Sequence, residues 1–192
     1  AKGILGKMVE KVSGSPSKMK SALYSTAGKQ KILEGSSTPL IVKPVQGVLR
    51  YSGFQKMKSG IEKLNGKKER SIFAETFGSS LQSALSVTET MGALLDEQEL
   101  VSNAVFPSGL GDELREAAKL IGVDTSKLKT ERAGFIVEQR GYDTHNSADI
   151  SDKLDVLDAS LAAFTTEMKA LDLWNNITVL VVSDFGRTLT DK

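Results

Sequence analysis

Two short segments of the 192-residue chain carry side chains able to do chemistry together: Gly141-Tyr142-Asp143-Thr144-His145-Asn146 and Ser183-Asp184-Phe185-Gly186-Arg187-Thr188. Asp143 and His145 stand two apart, so on an extended loop they point the same way and could hold one cation. Asp184 follows a β-branched run and would be held rigidly at a strand end, as suits a metal ligand. Arg187 could fork onto an anionic oxygen such as that of phosphate or sulfate. Carboxylate and imidazole donors together suit zinc, manganese or iron better than calcium, which takes oxygen alone. Simpler roles are open to the same residues. Asp143 could close an Asx turn on Thr144 or His145, and Asp184 could cap the turn that follows with Arg187 as its ion pair.

Composition narrows the chemistry. His145 is the single histidine and there is no cysteine, which removes two-histidine zinc sites, thiolate ligands, cysteine nucleophiles and disulfides from this chain. No other side chain stands out as a nucleophile.

Elements that could position the two segments are visible in the surrounding pattern. Ala133-Gly134-Phe135-Ile136-Val137 is a short apolar run that reads as a buried strand feeding the first segment. Ile177-Thr178-Val179-Leu180-Val181-Val182 is apolar at almost every position, which predicts a central parallel strand feeding the second. Between them, Leu154, Leu157, Leu161, Phe164, Met168 and Leu171 mark the inward stripe of a helix over 151–171, with Asp152, Asp155 and Asp158 facing water. Strand, helix and strand in that order make a right-handed βαβ unit, with both loops leaving the carboxyl edge where α/β proteins bind ligands. The predicted strands, 133–138 and 177–183, should then be parallel neighbours or near neighbours, with the helix on one face of the sheet.

Upstream, Ile72, Phe73, Phe77, Leu81 and Leu85 share one helical face, and Leu114, Ala117, Ala118 and Ile121 face inward on a second helix stopped at Gly122. Residues 1–68 differ in character. They hold fourteen Lys/Arg against three Glu, whereas 69–192 hold eleven Lys/Arg against twenty-one Asp/Glu. Turn clusters at 13–17 and 35–39 leave room for a short helix over Lys18 to Tyr24 and a short strand at Leu40-Ile41-Val42 ended by Pro44. The organisation expected is a basic wrapping segment over 1–68, not an independent domain, and an α/β core portion over 69–192. Arg50, Tyr24, Tyr51 and Phe54 are the only arginine and aromatic residues of the first segment, and that scarcity argues against a nucleic-acid partner. No apolar run approaches the length of a transmembrane helix.

The paired motifs Gly141-Tyr142-Asp143-Thr144-His145 and Ser183-Asp184-Phe185-Gly186-Arg187-Thr188 resemble the domain-of-unknown-function 1501 family, whose members carry a GGxDTH-like loop followed by S(E/D)FGRT. That family is distantly similar to the alkaline phosphatase and sulfatase superfamily. The resemblance implies an alkaline-phosphatase-like parallel or mostly parallel sheet flanked by helices, with Asp143, His145 and Asp184 as metal ligands and Arg187 on an anion. The chain departs from the superfamily in its Asp-to-His spacing of two, not four, and in Phe185, which stands where a second histidine would be. The family's earlier GGxDxxN-type loop and its later Asp-His-Gly are not in these residues, so the sheet is expected to be incomplete and finished by other parts of a parent chain or by another chain.

Two classes of function follow from the resemblance. One is a metal-dependent hydrolase-like domain for a small-molecule phosphate or sulfate ester. The other is a non-catalytic secreted or cell-surface protein that keeps the fold for binding or assembly. An extracytoplasmic home is implied by the resemblance alone.

Overall fold

The structure, a computed structural model, describes residues 2–14, 19–48, 50–65, 72–143 and 150–186. His145 and Arg187 therefore lie outside the described residues. Three strands form one parallel sheet: β1 (Ser21–Ser25) in the centre, with β2 (Leu40–Ile41) on one side and β3 (Arg132–Ile136) on the other. The register sets Tyr24 beside Leu40 and Phe135, and Ser21 beside Arg132.

Both faces of β1 are covered, because alternate side chains serve different cores. Leu23 packs with Val9 of α1 (Ile4–Ser13) and with Leu33 on one face. Tyr24 enters the other core with Val42, Val48, Met91, Leu95, Leu120 and Val123, and its ring stacks on Phe135 at a centroid distance of 5.0 Å. Where a short helix is predicted around Lys18 to Tyr24, residues 21–25 are thus a strand. The two-faced burial of Leu23 and Tyr24 outweighs local propensity there. The first third of the chain supplies α1 and two of the three strands found among the described residues.

The helices of the second core are α3 (Ile72–Asp96) and α4 (Leu110–Val123), and α2 (Phe54–Asn65) packs on α3. Helix α4 starts at Gly109, whose φ of +84° requires glycine and whose N–H donates to Asp112 Oδ2 at 2.9 Å. Gly122 does not end it. The burial of Leu120 and Val123 carries the chain on into a π turn over Asp124–Leu128, closed by Lys129 in the left-handed region. α5 (Ser151–Ala170) packs mainly on α4, not directly on the strands, through Leu110, Leu114, Ala118, Phe164 and Met168. Its buried positions are Ser160, Ala163, Phe164, Glu167 and Met168, and Leu154 is 47% exposed. Leu157, Leu161 and Leu171 of the expected stripe pack partly buried against the same core, and Glu167 can join the buried set because it is internally satisfied. Its carboxylate accepts from the N–H groups of Val101 and Ser102 at 2.7 and 2.8 Å.

Two further differences bear on the site and the surface. Residues 177–183 form no strand: they follow a 3₁₀ turn at Trp174–Asn176 as irregular chain, and Leu180 is 80% exposed. β3 pairs with β1 instead. A strand apolar on both faces needs helices over both, and the described residues supply none there. Helix α3 exists, but its N-terminal apolar face is uncovered: Phe73 is 84% and Phe77 71% exposed, while Met91, Gly92 and Leu95 are buried. At the level of an α/β protein with a parallel sheet flanked by helices, the architecture is the one expected.

Candidate functional site

An order of β2-β1-β3 reverses direction between β1 and β3, and crevices at such reversals, beyond the carboxyl ends of the strands, are where α/β proteins bind ligands. An open cleft of about 570 Å³ lies there. Pro44 beyond β2, Glu138 to Arg140 beyond β3, the first turn of α4 and Asp152, Lys153 and Val156 of α5 line it. Two helix N-termini thus face one space.

Glu113 organises the floor. Its Oε2 accepts from the Thr26 hydroxyl at 2.9 Å and from the Glu138 N–H at 2.7 Å, joining the ends of β1 and β3 to α4. The Thr26 N–H extends the ladder by donating to the Ile136 carbonyl at 3.0 Å. The Ser25 hydroxyl, at the end of the central strand, is buried with no hydrogen-bond partner among the described residues. On the rim, Arg140 pairs with Glu138 at 3.1 Å, and the Glu138 carboxylate holds the guanidinium above its ordinary pKa.

The loop after β3 is tied down. Tyr142 donates its hydroxyl to Gln139 Oε1 at 2.8 Å, and Gln139 Nε2 donates to the Lys153 carbonyl of α5 at 3.0 Å. Gly141 has φ +91°, and a Cβ there would sit 2.9 Å from Lys153 Nζ. Asp143, exposed, follows two residues later, so it leaves the carboxyl end of β3 beside the cleft. Asp184 is exposed in a bend where Ser183 Oγ donates to the Phe185 carbonyl at 3.0 Å. It follows unpaired chain, so strand pairing does not bring it to the sheet edge. Among the described residues, no group of three or more His, Asp or Glu side chains could hold a metal ion.

Glu113, Thr26 and Lys153 have no motif to mark them; only the carboxyl-edge position of their elements could have pointed to them, whereas Gly141 opens the first motif segment. Residues 121–192 match the model of a family described as a protein of unknown function, DUF1501, a span that holds β3, α5 and both motif segments. No curated protein and no solved structure matches the chain.

Proposed function

We propose that the chain is the metal-binding portion of a hydrolase-like domain acting on phosphate or sulfate esters, similar in plan to the alkaline phosphatase and sulfatase superfamily. Asp143, His145 and Asp184 are the ligands, and Arg187 holds the anionic group. The observation that carries this reading is the exit of the Asp143 loop from β3 beside the cleft at the strand-order reversal. The donor set fits: two carboxylates and one imidazole suit zinc, manganese or iron, and Asp143 and Asp184 are both exposed to solvent. A bound divalent ion would polarise the ester oxygen and stabilise charge developing on it. The chain's own share is to fix the Asp143 loop through Gln139 and Lys153, and to bring a guanidinium to the anion. The uncovered Val179–Val182 run supports the further reading that more chain, or another chain, completes the sheet and carries Asp184 to its edge.

The same uncovered run, with Phe185 in place of a histidine, favours a second reading: a binding or assembly protein that keeps the fold without the reaction. Metal content separates the two. Purified protein equilibrated with zinc or manganese and then freed of excess should retain metal, and His145→Ala and Asp143→Asn should each lose it while the circular dichroism spectrum is unchanged. Retention of metal by the His145 variant, or no retention by wild type, refutes the metal reading.

A further inference from the structure

Helix α3 is 25 residues long, roughly 37 Å, yet only its C-terminal end belongs to the core. Phe73, Phe77, Leu81, Ala84, Thr88, Met91 and Leu95 follow one another at three- and four-residue steps, so they form one continuous stripe. At Met91 and Leu95 that stripe is buried against Tyr24 and Leu120. At Phe73, Phe77 and Leu81 it is open to solvent, with Ile72 exposed beside it. The helix therefore carries a core-type face past the end of the core.

Helix α2 packs along α3, starting beside its C-terminal half, where Arg50 pairs with Asp96. It exposes Lys56, Met57, Lys58 and Lys63. The sequence from 50 to 70 holds seven Lys/Arg against two Glu, and Glu75 is the single charged residue between 72 and 85. A bare aromatic face beside a lysine-rich helix is complementary to a surface that is anionic outside and apolar beneath.

We infer that the packed pair of helices α2 and α3 docks on an anionic membrane surface, with Phe73 and Phe77 entering the acyl boundary and Lys56, Lys58 and Lys63 against the headgroups. No helix among the described residues is long and apolar enough to cross a membrane, which fits a helix lying in the interface. A protein partner would have to cover the aromatic face while matching the lysines with its own acids; a leaflet of anionic lipid offers both at once. The helix pair is separate from the cleft at the sheet edge, so this inference stands independently of the hydrolase reading.

Co-sedimentation of the chain with vesicles tests it. The protein should pellet with vesicles of phosphatidylglycerol and phosphatidylcholine in equal parts, pellet far less with phosphatidylcholine alone, and release as salt is raised. Phe73→Glu with Phe77→Glu should lower partitioning at least about tenfold, since two buried aromatic groups are lost. The doubly substituted chain should keep its circular dichroism spectrum, because both positions are exposed. Lys58→Gln and Lys63→Gln should each lower partitioning roughly fivefold. Absence of binding to the anionic vesicles overturns the inference, as does binding that survives the double phenylalanine substitution. So does a wild-type dimer, seen by light scattering, that this substitution turns into a monomer without any lipid binding.

Discussion

The Tyr24 hydroxyl donates a 2.6 Å hydrogen bond to Asp124 Oδ1, joining the central strand to the π turn that ends α4 across a hundred residues of sequence. Thr130 donates to the same oxygen at 3.2 Å, whereas Oδ2 is buried with no partner among the described residues. Burial raises the Asp124 pKa above its ordinary value of 3.8, and the Tyr24 and Thr130 hydroxyls and the Lys20 charge pull only partly the other way. The Tyr24 phenol is pushed upward too, first by burial and then by its bond to Asp124.

A carboxyl raised by folding binds its proton more tightly in the native state, so its contribution to stability is full below 3.8 and falls as pH climbs from there through the raised value. Asp124→Asn removes that loss and keeps an oxygen to accept from Tyr24. The variant should match wild type in acid and exceed it increasingly toward neutral pH. Urea unfolding across that range checks this; a difference that shrinks with rising pH would contradict it.

Leu120 and Leu33 are fully buried in the cores on opposite faces of the sheet. Truncating either to alanine should cost about 2–5 kcal/mol, the range for an emptied core position. Phe73→Ala, larger in volume but exposed, should change stability by less than about 0.5 kcal/mol. Chemical denaturation of the three variants compares them directly.

Removing the Glu113 side chain as alanine leaves the Glu138 N–H without its acceptor and the Thr26 hydroxyl with only its longer bond, 3.3 Å, to the Ile136 carbonyl. The expected cost is about 1–3 kcal/mol, and Glu113→Gln, which keeps one carbonyl oxygen for both donors, should cost less. Equal losses in the two variants would mean that charge, not hydrogen bonding, holds the strand ends together.

Gly141→Ala places a Cβ on a backbone at φ +91°, a strain of about 1–2 kcal/mol. The contact with Lys153 Nζ can relax, because that atom ends a flexible side chain. If Asp143 ligates metal, the same variant should also retain less zinc. Thermal melts and metal analysis of the purified variant read the two effects separately.

Local pattern makes β3, α4 and α5 legible in the sequence, since each is an apolar run or stripe whose period survives into the structure. Ser21–Ser25 was not legible as a strand. Its fate depends on what covers Leu23 and Tyr24, and those partners come from α1, Met91 and Leu120. The reverse error at Ile177–Val182 has the same origin: β-branched residues favour a strand, but a strand also needs neighbours and cover. The carboxyl-edge location of Asp143 could be read from the order of run and motif. Glu113 and Thr26 could not, because nothing in their spacing sets them apart.

Ser21 lies beside Arg132 in the sheet, so the central strand cannot gain its second neighbour until more than half of the chain has been drawn into a closed loop. Closing that loop is entropically costly and is repaid only when the ladder and its stacked Tyr24–Phe135 pair form. The α4–α5 pair, joined by a much shorter connection, can assemble sooner. Refolding should therefore be biphasic, with amides of α4 and α5 protected from hydrogen exchange early and those of β1 late. Simultaneous protection of all of them in a pulse-labelling experiment would rule out that order of events. While β1 waits, its backbone groups stay open to pairing with another chain, so the slow step is also the one at which this protein is most exposed to misassembly.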